Sequence, residues 1–205
     1  MRTFSLPRLT LLAFVLLVTA GTMACEEASP NLGRYHRGRT LDVAVMSMEW
    51  VPELRYSTIQ QTVTPPPDSP CATAMPAPDP AKAGDPEGKI RHWRISPTDK
   101  DLQLVLVHLK VENHTASSAI VNADEQAAEL RDFASTVYRP LNISKLVQET
   151  TEAPGPLGRS LVFVQGAFEL KRDCGVDGWM VFEAPKDTKF KEFRWRASDS
   201  LTIEF

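Results

Sequence analysis

The sequence predicts an all-β chain folded as an antiparallel β-sandwich. Apolar and polar residues alternate in several short segments, which is the pattern of strands with one buried face. Clusters of Asn, Asp, Gly, Ser and Pro separate those segments and are typical of turns. Only residues 124 to 132 have a helix-like composition, and that stretch is short. A closed barrel is the second architecture that this pattern allows.

The first strand is predicted directly after a polar stretch. Residues 25 to 39 are polar and contain proline and glycine, so we interpret them as a tether. From residue 41 onward, apolar and other residues alternate, and the apolar positions are Leu41, Val43 and Val45. The sandwich domain is therefore placed at residues 40 to 205.

A proline-rich segment interrupts the domain soon after this strand. Residues 62 to 88 contain half of the 16 prolines in the chain. Such a run forms neither a helix nor a central strand. Too little sequence precedes it to make a second domain, so we interpret it as a long loop inserted between the first two strands.

The rest of the chain reads as strands joined by turns. The clearest alternation has the apolar residues Val105, Val107, Leu109 and Val111, with His108, Lys110 and Glu112 on the other side. Further strands are predicted at residues 161 to 170 and 179 to 184, the second of which ends at Pro185. The last two carry the alternating residues Phe193 and Trp195, then Leu201, Ile203 and Phe205.

The first 24 residues have the layout of a secretory signal peptide. Arg2 and Arg8 precede and flank an apolar run at residues 9 to 18, and small residues follow it. The apolar run is about ten residues long, whereas a bilayer span needs roughly 20. The segment therefore predicts export and cleavage after residue 24.

Cys25 follows that segment directly and is the predicted lipidation site. The stretch from Gly21 to Cys25 resembles a bacterial lipobox, although Thr22 stands where Leu or Val is usual. Small residues at Thr22 and Ala24 also suit an ordinary signal peptidase, which would leave a secreted protein with Cys25 unmodified. Two or more acyl chains give a stable membrane anchor, so lipidation predicts residence at the cell membrane surface.

The cysteine count supports the lipidated alternative. The chain has three cysteines, Cys25, Cys71 and Cys174. If lipid occupies Cys25, the other two can pair in an oxidising compartment and attach the proline-rich loop to the domain. The alternative is that Cys71 and Cys174 are free thiols.

Several motifs resemble one known family. The strand end Val111-Glu112-Asn113, the segments at residues 128 to 132 and 137 to 141, and the stretch from Gly178 to Pro185 occur in this order. They are similar to exported bacterial proteins, often lipoproteins, with a telokin-like domain related to the immunoprotective extracellular antigen. The resemblance covers residues 40 to 205 apart from the insertion. It implies an immunoglobulin-like sandwich in the cell envelope and implies no catalytic residue.

The sequence offers no recognisable catalytic or cofactor motif. It lacks a nucleophile elbow, a Ser-x-x-Lys pair and a phosphate-binding glycine loop. His108 and His114 share strand parity but would stand about 20 Å apart on an extended strand, which is too far for one metal ion. With 23 basic and 26 acidic residues and no basic run, the chain gives no support to nucleic-acid binding. We therefore expect no metal, no cofactor and no enzymatic activity.

The remaining candidate is an interaction surface at Arg91, Trp93 and Arg94. Arg and aromatic side chains are enriched at interface hot spots. The alternative is that the tryptophans are core residues and the arginines lie along the sheet. The sequence thus predicts a non-enzymatic envelope module that binds another envelope protein or presents a surface. The alternatives are a module that binds a small molecule or metal ion, and a secreted enzyme.

Overall fold

The computed structural model describes residues 29 to 58, 71, 91 to 154 and 161 to 205. In those ranges the chain forms strands and one four-residue helix, so the all-β prediction is confirmed. The predicted signal peptide, Cys25 and nearly all of the proline-rich segment lie outside the described residues. No helix among the described residues is long and apolar enough to cross a membrane.

The strands follow one another closely along the chain. They are β1 His36–Arg37, β2 Leu41–Val51, β3 Leu54–Thr58, β4 Arg91–Ile95, β5 Leu102–Asn113, β6 Ser118–Ala123, β7 Ala128–Asp132, β8 Val137–Tyr138, β9 Gln148–Thr150, β10 Gly166–Lys171, β11 Cys174–Pro185, β12 Phe190–Trp195 and β13 Leu201–Glu204. The helix α1 spans Ile143–Leu146.

Antiparallel pairing arranges these strands into four sheets. The first sheet has the order β1-β2-β5-β11 and the second β13-β12-β7-β8, while β10-β6 and β3-β4-β9 form smaller sheets. Apolar side chains of the first sheet pack against those of the second sheet and of β10-β6 in one large core. This is the two-layer arrangement of a sandwich.

The central strand β5 is buried on both faces at its beginning. Val105, Val107 and Leu109 belong to the large core. Leu104 and Leu106 point the other way, into a second core with residues of β3 and β4. The sheet β3-β4-β9 therefore forms a third layer over one end of the first sheet.

Residues 124 to 132, which have a helix-like composition, do not form a helix. The carboxylate of Asp124 accepts a hydrogen bond from Gln126 N at 2.7 Å, which stabilises a turn. The strand β7 then pairs with β12 and buries Ala128 and Leu130 in the large core. Tertiary pairing decides the conformation here, over a local composition that favours helix.

Two other boundaries differ from prediction. Within residues 161 to 170 only the end is strand, and before it Phe163 makes a single parallel bridge to Trp179. Residues 174 to 178, which lie between the two strands predicted at 161 to 170 and 179 to 184, begin the long strand β11. The turn itself is at residues 172 and 173, where Asp173 has a φ of 62°.

Part of the predicted tether lies on the domain. His36 and Arg37 pair with β2, Gly33 N donates to Val45 O at 2.8 Å, and Leu32 packs against the large core. Residues 29 to 39 are therefore an edge of the sandwich.

A disulfide joins Cys71 to Cys174, which agrees with the pairing expected from the cysteine count. The two Cα atoms are 5.3 Å apart, and the residues are separated by 103 positions. Cys174 is buried at the start of β11, and Cys71 packs against the large core. The insertion lies between β3 and β4 rather than between the first two strands, and the bond attaches it covalently to the first sheet.

Candidate interaction surfaces

The predicted surface at Arg91, Trp93 and Arg94 is divided between two faces of β4. Trp93 packs against the second core, opposite Tyr56 on β3. Arg94 alternates to the other face, where it donates to Gln148 Oε1 at 3.2 Å and lies 3.8 Å from Glu53. The structure therefore does not unite the three side chains in one patch.

Trp195, flanked by two arginines in the sequence, is a core residue. Its side chain is 0% exposed, and its indole N–H donates to Ala197 O at 2.8 Å. Its neighbours Arg194 and Arg196 take part in ion pairs on the outer side of the second sheet. Trp195 therefore agrees with the alternative interpretation, in which the tryptophans are core residues.

One side of the first sheet carries a group of interacting polar side chains, which we call the polar face. Alternation along β5 and β11 turns these residues away from the large core. Cross-strand pairing brings Trp179 opposite His108, Asp177 opposite Lys110, and Asp42 opposite Glu112. The polar face consists of Tyr35, Arg37, Asp42, His108, Lys110, Glu112, His114, Asp177 and Trp179.

At one end of the polar face His108 is held between a ring and a carboxylate. Its imidazole stacks on the indole of Trp179, with ring centroids 4.5 Å apart and planes 10° from parallel. Its Nε2 lies 2.5 Å from Asp177 Oδ1, and Lys110 Nζ lies 3.4 Å from the other carboxylate oxygen. The side chain of His108 therefore has one defined orientation.

At the other end Glu112 joins Tyr35 to His114. The hydroxyl of Tyr35 donates to one carboxylate oxygen, and His114 Nε2 lies 2.8 Å from the other. Burial, the hydrogen bond to Glu112 and the nearby carboxylates raise the pKa of Tyr35 to about 12. The phenol is consequently a persistent hydrogen-bond donor.

Gly175 allows Glu112 to lie across β11. A Cβ at Gly175 would stand 2.7 Å from Glu112 Cγ and 3.0 Å from Val111 O, both too close for an ordinary contact. The absence of a side chain at this position thus shapes the polar face.

The histidines of the polar face are engaged by separate carboxylates. His108 contacts Asp177, whereas His114 contacts Glu112. Across the part of the chain that the structure describes, no group of three His, Cys, Asp or Glu side chains has the geometry of a metal site. The arrangement supports ion pairing and hydrogen bonding at a surface.

A second charged network lies on the outer side of the second sheet. Glu129 lies 3.0 Å from Arg131 and 3.3 Å from Arg196, and Glu192 lies 2.7 Å from Arg194. Burial alone would raise the pKa of Glu129, but the hydrogen bond and positive charge of Arg131 and the charge of Arg196 hold it below its ordinary value. These ion pairs join acidic and basic side chains across the strands and stabilise this face of the sheet.

A cluster of rings occupies one end of the sandwich, which we call the aromatic end. It is built on Trp50, Tyr138 and Phe190, and Phe133 lies in the adjacent turn after β7. Phe190 stacks on Trp50 at 6.3 Å and meets Tyr138 edge-on at 5.6 Å. Trp50 is 42% exposed and Phe133 is 71% exposed. Exposed apolar groups of this size often mark contact surfaces.

A shallow open groove of about 380 Å³ lies beside α1. Its lining includes Arg139, Leu141 and Leu146, together with Lys145, which pairs with Glu125 at 3.1 Å. It lacks the enclosure of a small-molecule pocket.

Sequence reasoning recognised the polar side of β5 but missed the face built on it. His108, Lys110 and Glu112 were visible as an alternating set. Their partners are distant in sequence. Tyr35 lies 77 positions from Glu112, and Asp177 lies 69 positions from His108. Alternation within β5 cannot reveal such contacts.

The sequence matches no known family model and no curated protein. The crystal structure of a presumed lipoprotein (ycdA) from Bacillus subtilis subsp. subtilis str. 168 is similar to this chain, with a TM-score of 0.41 and 13% sequence identity. The similarity covers 83% of this chain and spans 38% of the length of the Bacillus chain.

Proposed function

We propose that this chain is an exported, non-enzymatic envelope protein, anchored by lipid on Cys25, that binds another envelope protein through the polar face. The single observation that carries the binding proposal is the preorganised polar face. The lipid anchor is supported by the lipobox-like sequence that ends at Cys25.

The disulfide supports the proposal of export. Disulfides persist in secreted and periplasmic compartments and are rare in a reducing cytoplasm. The Cys71–Cys174 bond leaves Cys25 as the third cysteine, which is the residue that lipidation would use.

We also propose that the sandwich is of the telokin-like, immunoglobulin-like type. The motifs behind that resemblance have structural roles in this fold. Asn113 donates to Leu170 O at 2.9 Å at the end of β5, and Tyr138 donates to Asp132 at 3.0 Å across the β7–β8 hairpin. Both contacts fix connections between strands, as expected of residues that specify a fold.

The polar face has the properties of a protein-binding surface. It presents Tyr, Trp and Arg, the residue types that dominate interface hot spots. Stacking of His108 on Trp179 and the hydrogen bond of Tyr35 to Glu112 hold these side chains in place before a partner arrives. Less side-chain entropy is then lost on binding.

Photocrosslinking in intact cells tests this function. A benzoylphenylalanine at position 35 should give a discrete protein adduct, because Tyr35 lies on the polar face. The same probe at Ile120, an exposed apolar position on β6, is the matched control. Absence of any adduct from position 35, or equal adducts from both positions, would reject the polar face as the binding surface.

Membrane fractionation tests the anchor separately. The Cys25→Ala variant should leave the membrane fraction, whereas the unaltered chain should remain in it. Retention of the variant would show that lipid on Cys25 is not the anchor.

A further inference from the structure

Two exposed rings lie at one end of the sandwich. Five large apolar residues are exposed among those that the structure describes, namely Tyr35, Trp50, Ile120, Phe133 and Val137. Two of them, the rings of Trp50 and Phe133, belong to the aromatic end. Exposed rings that lie at the same end of a domain are a candidate contact surface.

Strand ends and turns meet at the aromatic end. Trp50 is near the end of β2, and Phe190 begins β12 and pairs with Asp132 at the end of β7. Phe133 follows in the β7–β8 turn, so its ring stands at the tip of a hairpin. The backbone of Lys186 donates to Asp101 O at 3.4 Å and joins the two neighbouring turns.

The beginning of the described chain lies beside the same end. The side chain of Asn31 donates to Glu204 O at 2.8 Å. Glu204 pairs with Glu192, which is only two positions from Phe190 in β12. The N-terminal residues therefore leave the sandwich near the aromatic end and away from the Cys71–Cys174 bond.

The distance to the proposed lipid is short. Four peptide units separate Cys25 from Ser29, and they span at most about 14 Å when fully extended. A lipid on Cys25 would thus keep Ser29 within that distance of the lipid headgroups. The aromatic end is the part of the sandwich that such a tether brings towards the bilayer.

We propose that the aromatic end rests on the phospholipid surface, with the rings of Trp50 and Phe133 in the interfacial region. The proposal rests on the lipid anchor proposed above. Trp and other aromatic side chains favour the boundary between headgroups and acyl chains. The tether gives the aromatic end a high effective concentration at the bilayer. A contact too weak to hold an untethered domain on the membrane is therefore sufficient to orient this one.

The charge of this end indicates which lipids it contacts. The turns at residues 96 to 101 and 186 to 189 contain three lysines and three aspartates. Because these charges balance, the contact depends on the rings and is indifferent to anionic lipid. The polar face, on the side of the sandwich, stays accessible to a protein partner.

Tryptophan quenching tests this orientation on the lipidated full chain. The protein, purified from membranes, is reconstituted in phosphatidylcholine vesicles that contain brominated phosphatidylcholine. We expect quenching of tryptophan emission and its loss in Trp50→Phe, since the other three tryptophans are in the third layer, the polar face and the core. Phe133→Ser should weaken the quenching of Trp50, while Ile120→Ser should leave it unchanged.

Vesicle flotation separates this proposal from the anchor. If the chain floats with vesicles but Trp50 is not quenched, the anchor stands and the orientation is wrong. Equal quenching in Trp50→Phe, or quenching that requires phosphatidylglycerol, also contradicts the proposal. If the unaltered chain does not float, the anchor fails and the orientation fails with it. A protein adduct from a photoprobe at position 133, without lipid quenching, would assign the aromatic end to a protein partner.

Discussion

The carboxylate of Asp199 lies 2.8 Å from the backbone nitrogen of Thr40, across 159 positions of sequence. The same oxygen accepts a hydrogen bond from Leu41 N at 3.1 Å. Burial alone would raise the pKa of Asp199, but these backbone hydrogen bonds hold it below its ordinary value. One side chain from the β12–β13 turn thus fixes the turn that leads into β2.

Asp199→Ala should therefore lower the free energy of unfolding by about 1 to 3 kcal/mol, because two backbone N–H groups lose a charged acceptor. Since the folded-state pKa is lowered, this stabilisation is present above about pH 4 and is lost as the pH falls. Urea unfolding of both proteins at neutral and acid pH measures the difference, which should shrink in acid. Glu149→Ala, at an exposed carboxylate on β9, is the control. An undiminished difference in acid would contradict this role.

The double variant Cys71→Ala/Cys174→Ala should unfold more readily by about 4 to 5 kcal/mol, the chain-entropy value for a loop of about 100 residues. Reductant should produce a similar loss in the unaltered chain and none in the variant. Denaturant midpoints with and without reductant provide the measurement, and Cys25→Ala should retain full sensitivity to reductant. If reductant does not change the denaturant midpoint of the unaltered chain, the result contradicts the Cys71–Cys174 bond.

Tyr35→Phe should remove a tyrosinate that titrates at about pH 12. Because the folded-state pKa is raised, the stability contributed by the Tyr35–Glu112 contact is present below about pH 10 and is lost as the pH rises through the folded-state pKa. Difference titration of tyrosinate absorbance between the unaltered chain and the variant isolates this residue. In Glu112→Gln the pKa of Tyr35 should fall, and an unchanged value would show that Glu112 is not responsible.

Glu129→Gln should destabilise the second sheet by about 1 to 3 kcal/mol, because a buried charged acceptor of Arg131 and Arg196 is lost. The pKa of Glu129 is lowered, so the effect should be present at neutral pH and should fade below about pH 4. Thermal unfolding at both pH values measures it. Glu204→Gln, at an exposed position on the same sheet, should show no comparable loss. Equal effects of the two substitutions would argue against the network.

Alternation along the sequence was sufficient to predict β2, β5 and the all-β class. It could not predict the third layer, which explains why Leu104 and Leu106 are apolar alongside Val105 and Val107. A strand with both faces buried reads as a continuous apolar run, and such a run does not say what covers each face.

The residues that share an interaction surface were harder to predict from the sequence than the strands, because a surface is formed by contacts between distant residues. Trp93 and Arg94 are adjacent in sequence, but β4 sends them to opposite faces. His108 and Asp177 are 69 positions apart and meet only because β5 pairs with β11. Residue type identified candidates in both cases, and strand register decided which of them share a surface.

The disulfide also determines which parts of the chain are covalently enclosed. The bond makes a ring of the residues from Cys71 to Cys174, with β1 to β3 on one tail and β11 to β13 on the other. In the first sheet the ring strand β5 lies between β2 of one tail and β11 of the other. A single proteolytic cut within the ring, including one in the proline-rich segment after Cys71, would open a loop and release no fragment until the bond is reduced.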